Sequence, residues 1–385
     1  MITVIADDLT GAAEIAGICL RYGIDTTFGI DTMSQREAKV NIIATDSRSL
    51  SEAEAYQIHW QLAKKVIQKS KNQIIFKKCD SILRGYVLTE LSALMDASEK
   101  STVLLQPSNP VSNRVINEGM YYVNDIEIEK TGFSKDPDFP AKTSSVKKLL
   151  LSRTSKQDIS VHTENITKID LKGIYIPDCN SEEDLMKNLK LYQDDFVIGG
   201  SAIFFEQFLI KLKIASNKTE LKKLHFSRDY ILVSGSMYPD SIQFAKSHQT
   251  MGCPVVHFSN EMLQKEIKTD VINVFDNKIS EIYYKNKKLV LRVSDDIQSF
   301  EDSWKILKSR LSTVVKHLIK RADIDEIFIE GGATAYDMLN TLGWNSFTPT
   351  EELAWGVVRM QNNSNPKKHI TLKPGSYKWP EGFFN

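Results

Sequence analysis

The chain alternates between compact apolar runs and longer amphipathic stretches. Residues 2–6 (ITVIA), 40–44 (VNIIA), 73–77 (QIIFK), 102–105 (TVLL) and 196–200 (FVIGG) have the length and β-branched content of buried strands. Between them the hydrophobic period lengthens. Residues 12–22 predict a helix with Gly23 as its stop, and 51–69 predict another, opened by the capping-box spacing of Ser51 and Glu54. Strands alternating with helices predict a largely parallel sheet covered on both faces. From 109 to 145 the rhythm fails: turn residues, short apolar pieces and DPDFP at 136–140 predict an irregular excursion over the sheet. The polar stretch 217–229 predicts a linker. After it the alternation restarts, with strands at 231–233, 254–258, 289–293, 326–329 and 369–372 and helices at 240–250, from about 302 to 321, and from near Thr334. The expected fold is α/β: two three-layer α/β domains with largely parallel sheets, residues 1–225 and 226–385, and an interdomain cleft. No sequence repeat relates the halves.

With 385 residues, 42% of them apolar, the chain can build two cores. Lys plus Arg and Asp plus Glu each total 49, so there is no net basic field to draw the chain onto nucleic acid. Cys19, Cys79, Cys179 and Cys253 are scattered with no CxxC pair, which argues against a zinc site or disulfide framework and fits reduced thiols. Met1–Ala6 is apolar, but Asp7 and Asp8 interrupt it, so no signal peptide is expected, and no apolar run is long enough to span a bilayer. The expectation is a soluble cytoplasmic protein without nucleic-acid or membrane partners. Oligomeric state stays open, a homo-oligomer included.

The chemistry gathers in turns directly after predicted strands, where open α/β sheets bind ligands. Asp7-Asp8-Leu9-Thr10-Gly11 places adjacent carboxylates at a helix start. One can cap the helix, leaving the other free for a substrate hydroxyl or its proton; both could also merely cap and solvate the turn. Lys77–Gly85 (KKCDSILRG) packs cations, a carboxylate and a hydroxyl into a short turn that can bind a hydroxylated acid or simply hold a local Asp–Arg pair. Ser234-Gly235-Ser236 and Glu330-Gly331-Gly332-Ala333-Thr334 are candidate phosphate cradles, although neither is a Walker A loop and a tight turn alone explains either one better. Lys373-Pro374-Gly375-Ser376 is a weaker feature of the same kind. The histidines, His225 and His257 among them, read as structural or exposed, and Trp344, Trp355 and Trp379 as core or packing residues.

These turns together resemble the four-carbon acid sugar kinases. ADDLTGA (6–12) is similar to that family's opening motif, KKCDSILRG (77–85) to its KKxDSTLRG, and TDSRSLS (45–51) to its TxSRxLS segment. SGS (234–236), GGAT (331–334) and LKPGS (372–376) resemble its SGS, GGET and LKSGN. The departures are Ile82 for Thr, Ala333 for Glu, and Pro374-Gly375-Ser376 for SGN. The resemblance implies an N-terminal substrate-binding domain, a C-terminal nucleotide-binding domain, and ATP- and Mg²⁺-dependent phosphorylation of a threonate-, erythronate- or 3-oxo-tetronate-like sugar acid. Carried over by motif, Asp7, Arg48, Asp80, Ser81, Arg84 and Arg114 would bind the acid. Asp8 would line the same side and, ahead of Asp7 as the alternative, would be the catalytic base. Ser234, Ser236, Gly331, Gly332, Ala333, Thr334 and Gly375 would bind ATP. No residue is assigned to the metal. The alternative is a non-catalytic protein that binds a sugar acid or nucleotide on the same scaffold.

Overall fold

The computed structural model describes the chain apart from residues 71–72, 157, 164–165, 219–228, 265, 298–302 and 381–385. It divides into two compact units, Met1–Thr219 and Glu220–Asn385. The expected 225/226 boundary and most of the expected linker, with His225, fall outside the described residues.

Unit 1 runs β1 (Ile2–Ala6), α1 (Leu9–Arg21), β2 (Thr26–Ile30), β3 (Val40–Ala44), α2 (Glu52–Lys69), β4 (Ile74–Lys78), α3 (Val87–Ser98) and β5 (Thr102–Gln106). There follow β6 (Arg114–Asn117), β7 (Met120–Val123), β8 (Ile126–Glu127), α4 (Val146–Leu151), β9 (Val161–His162), β10 (Gly173–Tyr175), α5 (Glu182–Leu189), β11 (Val197–Gly200) and α6 (Ala202–Lys211). Its main sheet has the order β2-β3-β1-β4-β11-β5-β10-β9, with every pairing parallel. The residues that alternate along each strand serve opposite helix layers. Ile5, Ile43 and Val103 pack with Leu62, Val66, Leu88 and Leu91 of α2 and α3. Phe76 instead meets the Phe204, Phe205 and Phe208 rings of α6 at centroid distances of 6.4, 4.9 and 6.2 Å.

The excursion is more regular than the sequence suggests. Strands β6, β7 and β8 form a small antiparallel sheet closed by left-handed turn residues (Glu118, Gly119, Asn124, Asp125). Tyr121 and Ile116, buried in its interior, tie it to the main core.

Unit 2 runs β12 (Tyr230–Ser234), α7 (Pro239–Thr250), β13 (Val255–Phe258), α8 (Thr269–Asn286), β14 (Lys288–Val293), α9 (Ser303–Arg321), β15 (Glu326–Glu330), α10 (Gly332–Leu342), β16 (Ser346–Ala354), β17 (Val357–Asn362) and β18 (His369–Lys373). Its strand order is β13-β14-β12-β15-β18-β17-β16. The first five are parallel, and β17 runs antiparallel to both of its neighbours. Tyr230, Leu232, Val290, Phe328 and Trp379 form a core that Phe244 and Ala245 of α7 cover. Trp379 is thus a packing residue, as expected, whereas Trp355 is exposed. The four cysteines are free and buried. Among the described residues no helix is long and apolar enough to cross a membrane.

Candidate functional site

In unit 1, parallel register brings the last residues of β3, β1 and β4 level: Ala44 pairs with Ala6, and Ala6 with Lys78. The loops that follow, 45–51, 7–8 and 79–86, therefore open at one edge. The chain leaves β1 towards β2 and leaves β4 towards β5 on the other side, so these two loops diverge and leave a crevice at the carboxyl ends of the strands.

Asp7, with no exposed surface, takes the Nε–Nη2 edge of Arg48 at 2.8 and 3.0 Å. Burial works to raise its pKa, but Arg48, then Lys77 and Lys78, outweigh it and hold the group at about 2. Arg48 Nη2 also lies 3.3 Å from Asp8 Oδ1 and 3.9 Å from Asp80 Oδ1. Asp80 is gripped by Arg84 through Nε at 2.7 Å, through Nη2 at 3.3 Å and through the Arg84 backbone N–H at 3.2 Å. Burial raises the Asp80 pKa, but Arg84 and Arg48 drive it well below the carboxylate range. Arg84 keeps 36% of its side chain exposed and also faces Asp136 at 3.6 Å. Arg114, at the start of β6, donates to Ser81 Oγ at 2.5 Å, while Tyr121 donates to the Ser81 carbonyl. All seven expected unit 1 residues thus meet at one edge.

Asp8 is itself the cap of α1. Its Oδ1 accepts from Gly11 N at 2.9 Å and its Oδ2 from Thr10 Oγ1 at 2.5 Å. Capping therefore does not free the other carboxylate: Asp7 is the buried one, and the cap is the one left 18% exposed. Gly11 is required here, since a Cβ would lie 2.5 Å from Asp8 Oδ1 and 3.0 Å from Lys78 Nζ. Gly85, at φ +91°, would place a Cβ 3.2 Å from Arg48 Cγ. Ile82 is buried in the core, so the Thr-to-Ile departure lies off this edge.

Beneath the site lies a pair that motif reading left unassigned. Lys77 and Glu90, both without exposed surface, meet at 3.0 Å, and Ser47 Oγ donates to Glu90 at 2.6 Å. Ser47 opens the turn that carries Arg48, so Glu90 fixes that turn from below. A conspicuous hint was the lysine placed in an apolar strand. The 400 Å³ hollow between Ile67, Ile74, Leu94, Tyr192 and Phe196 lies at the amino ends of β4 and β11, away from these charges.

In unit 2 the glycine turns interlock. Gly235 N donates to Glu330 O at 3.3 Å, and Gly331 N to Lys373 O at 2.9 Å. Ser236 Oγ lies 3.4 Å from Gly375 O. A Cβ on Gly235 would fall 2.1 Å from Thr334 Oγ1, and one on Gly375 would fall 3.3 Å from Ser236 Oγ. Gly331 precedes α10 at φ +101°, and no side chain caps that helix, so its first amides face outward unpaired by a cap. Ala333 is exposed in the first turn. Below the turns, Lys373 Nζ pairs with Glu330 at 2.7 Å. Ser241 also donates to Glu330 and lies 2.9 Å from Ser236 Oγ. Burial lowers the Lys373 pKa, which Glu330 only partly restores.

Among the described residues no group of three or more His, Cys, Asp or Glu could hold a metal ion. Arg48 and Arg84 already neutralise Asp7 and Asp80. The described residues do not build a Mg²⁺ cage of their own.

A sugar-binding N-terminal domain model matches residues 2–207, and a nucleotide-binding C-terminal domain model matches 231–377. A D-threonate kinase of Salmonella typhimurium is 22% identical over 91% of this chain and 88% of its own length. A 3-oxo-tetronate kinase of Pectobacterium atrosepticum is 20% identical over 99% and 97%. In fold, a solved Salmonella typhimurium protein superposes with a TM-score of 0.79 at 18% identity, over 100% of this chain and 97% of that one. A Haemophilus influenzae protein does so with 0.74 at 15% identity, over 99% and 98%. The names of the relatives support a kinase activity. Matched by both domain models over most of its length, the chain belongs to the four-carbon acid sugar kinase family.

Proposed function

We propose that this chain is an ATP-dependent kinase that phosphorylates the terminal hydroxyl of a small sugar acid, most simply one of four carbons, in the cytoplasm. The observation that carries the reading is the unit 1 edge, where three aspartates and two arginines from three loops converge and one carboxylate, Asp8, stays accessible. Arg84, the more exposed arginine, takes the acid's carboxylate. Asp80 and Ser81, held by Arg84 and Arg114, hydrogen-bond the sugar hydroxyls. Arg48, locked on Asp7, keeps a positive charge beside Asp8. Asp8 accepts the proton of the attacking hydroxyl.

The unit 2 turns, 234–236, 331–334 and Gly375, hold the ATP phosphates through backbone amides. Such positioning and charge neutralisation are what phosphoryl transfer chiefly requires. Mg²⁺ belongs to the nucleotide substrate in this reading, held largely by phosphate and water.

The test is ADP release with ATP and Mg²⁺ over a panel of four- and five-carbon sugar acids. Turnover on one acid is expected. Asp8→Asn should lower kcat about a hundredfold or more without changing the unfolding temperature, because Asn caps a helix as well as Asp. Full activity in that variant would remove Asp8 from its role. Binding of both ligands without ADP release would favour a non-catalytic sensor, the reading that exposed Ala333 in place of the family's Glu suggests.

A further inference from the structure

We propose that Arg292 is an additional phosphate-binding residue of unit 2, offering the Nε–Nη2 edge of its guanidinium to the nucleotide. The inference rests on the nucleotide reading of that unit and adds a group that no motif marks.

The starting point is a row of side chains. Parallel register aligns His257, Arg292, Ser234, Glu330 and Lys373 across β13, β14, β12, β15 and β18. Register partners in a sheet project to the same face. That face is the one α7 covers, since Leu232, Val290 and Phe328, two residues earlier on their strands, pack with Phe244 of α7, and Ser241 of α7 meets Glu330. Arg292 therefore stands one strand from Ser234, on the side where the Ser234–Ser236 turn leads into α7. Tyr238, at the cap position of α7, makes no side-chain capping bond; Pro239 has no N–H and Ser241 N donates to Tyr238 O, so that helix start adds the Asp240 amide as an anion donor.

The second observation is the state of the guanidinium. Arg292 is only 1% exposed, and among the described residues its Nε and Nη2 have no hydrogen-bond partner. Its Nη1 alone is engaged, by Asp295 at 2.5 Å. Three partly buried arginines of this chain use the Nε–Nη2 edge for a carboxylate: Arg48 on Asp7, Arg84 on Asp80 and Arg359 on Glu326. Among the described residues nothing fills that edge in Arg292, although leaving buried donors unpaired is costly. Two parallel N–H groups with that spacing match two oxygens of a phosphate. The row's carboxylate, Glu330, is already paired with Lys373 and does not fill the edge. The turn after β14, Ser294–Asp296, is at the surface, so an anion has a short path to the strand end.

Topology gives a third support. Unit 1 draws its charged loops from β1, β3 and β4. Unit 2 has the same order in β12, β14 and β15, and β14 carries Arg292 where β3 leads to Arg48.

The experiment is calorimetric titration of the full chain with ATP, inorganic tripolyphosphate and adenosine, in wild type, Arg292→Met and Arg292→Lys. Arg292→Met should weaken ATP and tripolyphosphate about tenfold or more, the loss of a charge-assisted pair, and leave adenosine and the sugar acid unchanged. Arg292→Lys keeps the buried charge but not the fork and should fall between. ATP bound with wild-type affinity by Arg292→Met overturns the inference, as does equal weakening of ATP and adenosine. Should Arg292→Met fail to fold, Arg292→Lys decides, and unchanged ATP affinity there also overturns it. A wild-type chain that binds ATP while the variants lose nothing refutes Arg292 alone. A wild-type chain that binds no nucleotide refutes the reading of unit 2 and the inference with it.

Discussion

Asp7 sits without solvent exposure against Arg48, while Asp8, the next residue, keeps part of its carboxylate in solvent. The sequence shows two equal acids; only the fold separates the buried anchor from the accessible group. Because the Asp7 pKa in the folded chain lies below its ordinary value of 3.8, at about 2, the group stabilises the fold at every pH above the ordinary value. That contribution disappears as the pH falls through the folded value. A displacement of that size is worth about 2 kcal/mol. Asp7→Asn also removes the nearest of the carboxylates around the Arg48 charge, leaving it Asp8 and Asp80, so the loss near pH 7 should reach about 2 kcal/mol or more. Urea unfolding of wild type and variant over a pH series reads the difference. The gap should narrow as the pH falls from 3.8 towards about 2; a gap that stays constant in that window would remove Asp7 from its place as a buried anion.

At the scale of elements, the segments the hydrophobic pattern assigned are those with a clear period and an end signal. The Ser51/Glu54 capping box opens α2 as expected. Helix α1 starts at Leu9 rather than 12, because Asp8 caps it earlier than its apolar face begins. The pattern left α3 unassigned: it is buried on nearly all sides, which removes the amphipathic period, and Tyr86 gives no side-chain cap. The β16–β17 hairpin was hidden by Pro349 and the acidic pair Glu351 and Glu352 within a strand that contains β-bulges. The glycine turns were legible as turns, but not the reason they need glycine. Between β12 and α10 that reason is contact: a Cβ at Gly235 would lie 2.1 Å from Thr334 Oγ1. Gly235→Ala must therefore push the Ser234–Ser236 turn away from the start of α10, and nucleotide affinity should fall about tenfold or more, a displacement penalty typical of an overpacked site. Removing the opposing hydroxyl in a Gly235→Ala/Thr334→Ala double variant should recover part of it. Strict additivity of the two changes in a nucleotide titration would contradict the contact.

Across the whole molecule, the two units show no sequence repeat yet share a strand order: β2-β3-β1-β4 in one and β13-β14-β12-β15 in the other. In each, the chain leaves a central strand to one side and later crosses to the other, so diverging loops gather at the carboxyl ends. The chemistry placed there differs. Unit 1 carries charged side chains, Asp7, Arg48, Asp80 and Arg84, suited to an acid with hydroxyls. Unit 2 carries glycine turns and helix starts, suited to phosphate. The same topology with unlike loops predicts a division of labour that amide hydrogen exchange can read residue by residue. A non-hydrolysable ATP analogue should slow exchange at 234–241, 330–335 and 374–376, and a turned-over sugar acid should slow it at 7–11, 47–50 and 80–86. At about 100 times Kd the added protection is bounded near 2.7 kcal/mol, so a clear slowing is expected wherever a loop contacts its ligand. Each ligand alone should leave the other unit's loops unchanged. If the nucleotide analogue alone slowed the unit 1 loops as strongly as those of unit 2, the loops would not divide the substrates between them, and the assignment of charged turns to acid and glycine turns to phosphate would fail together.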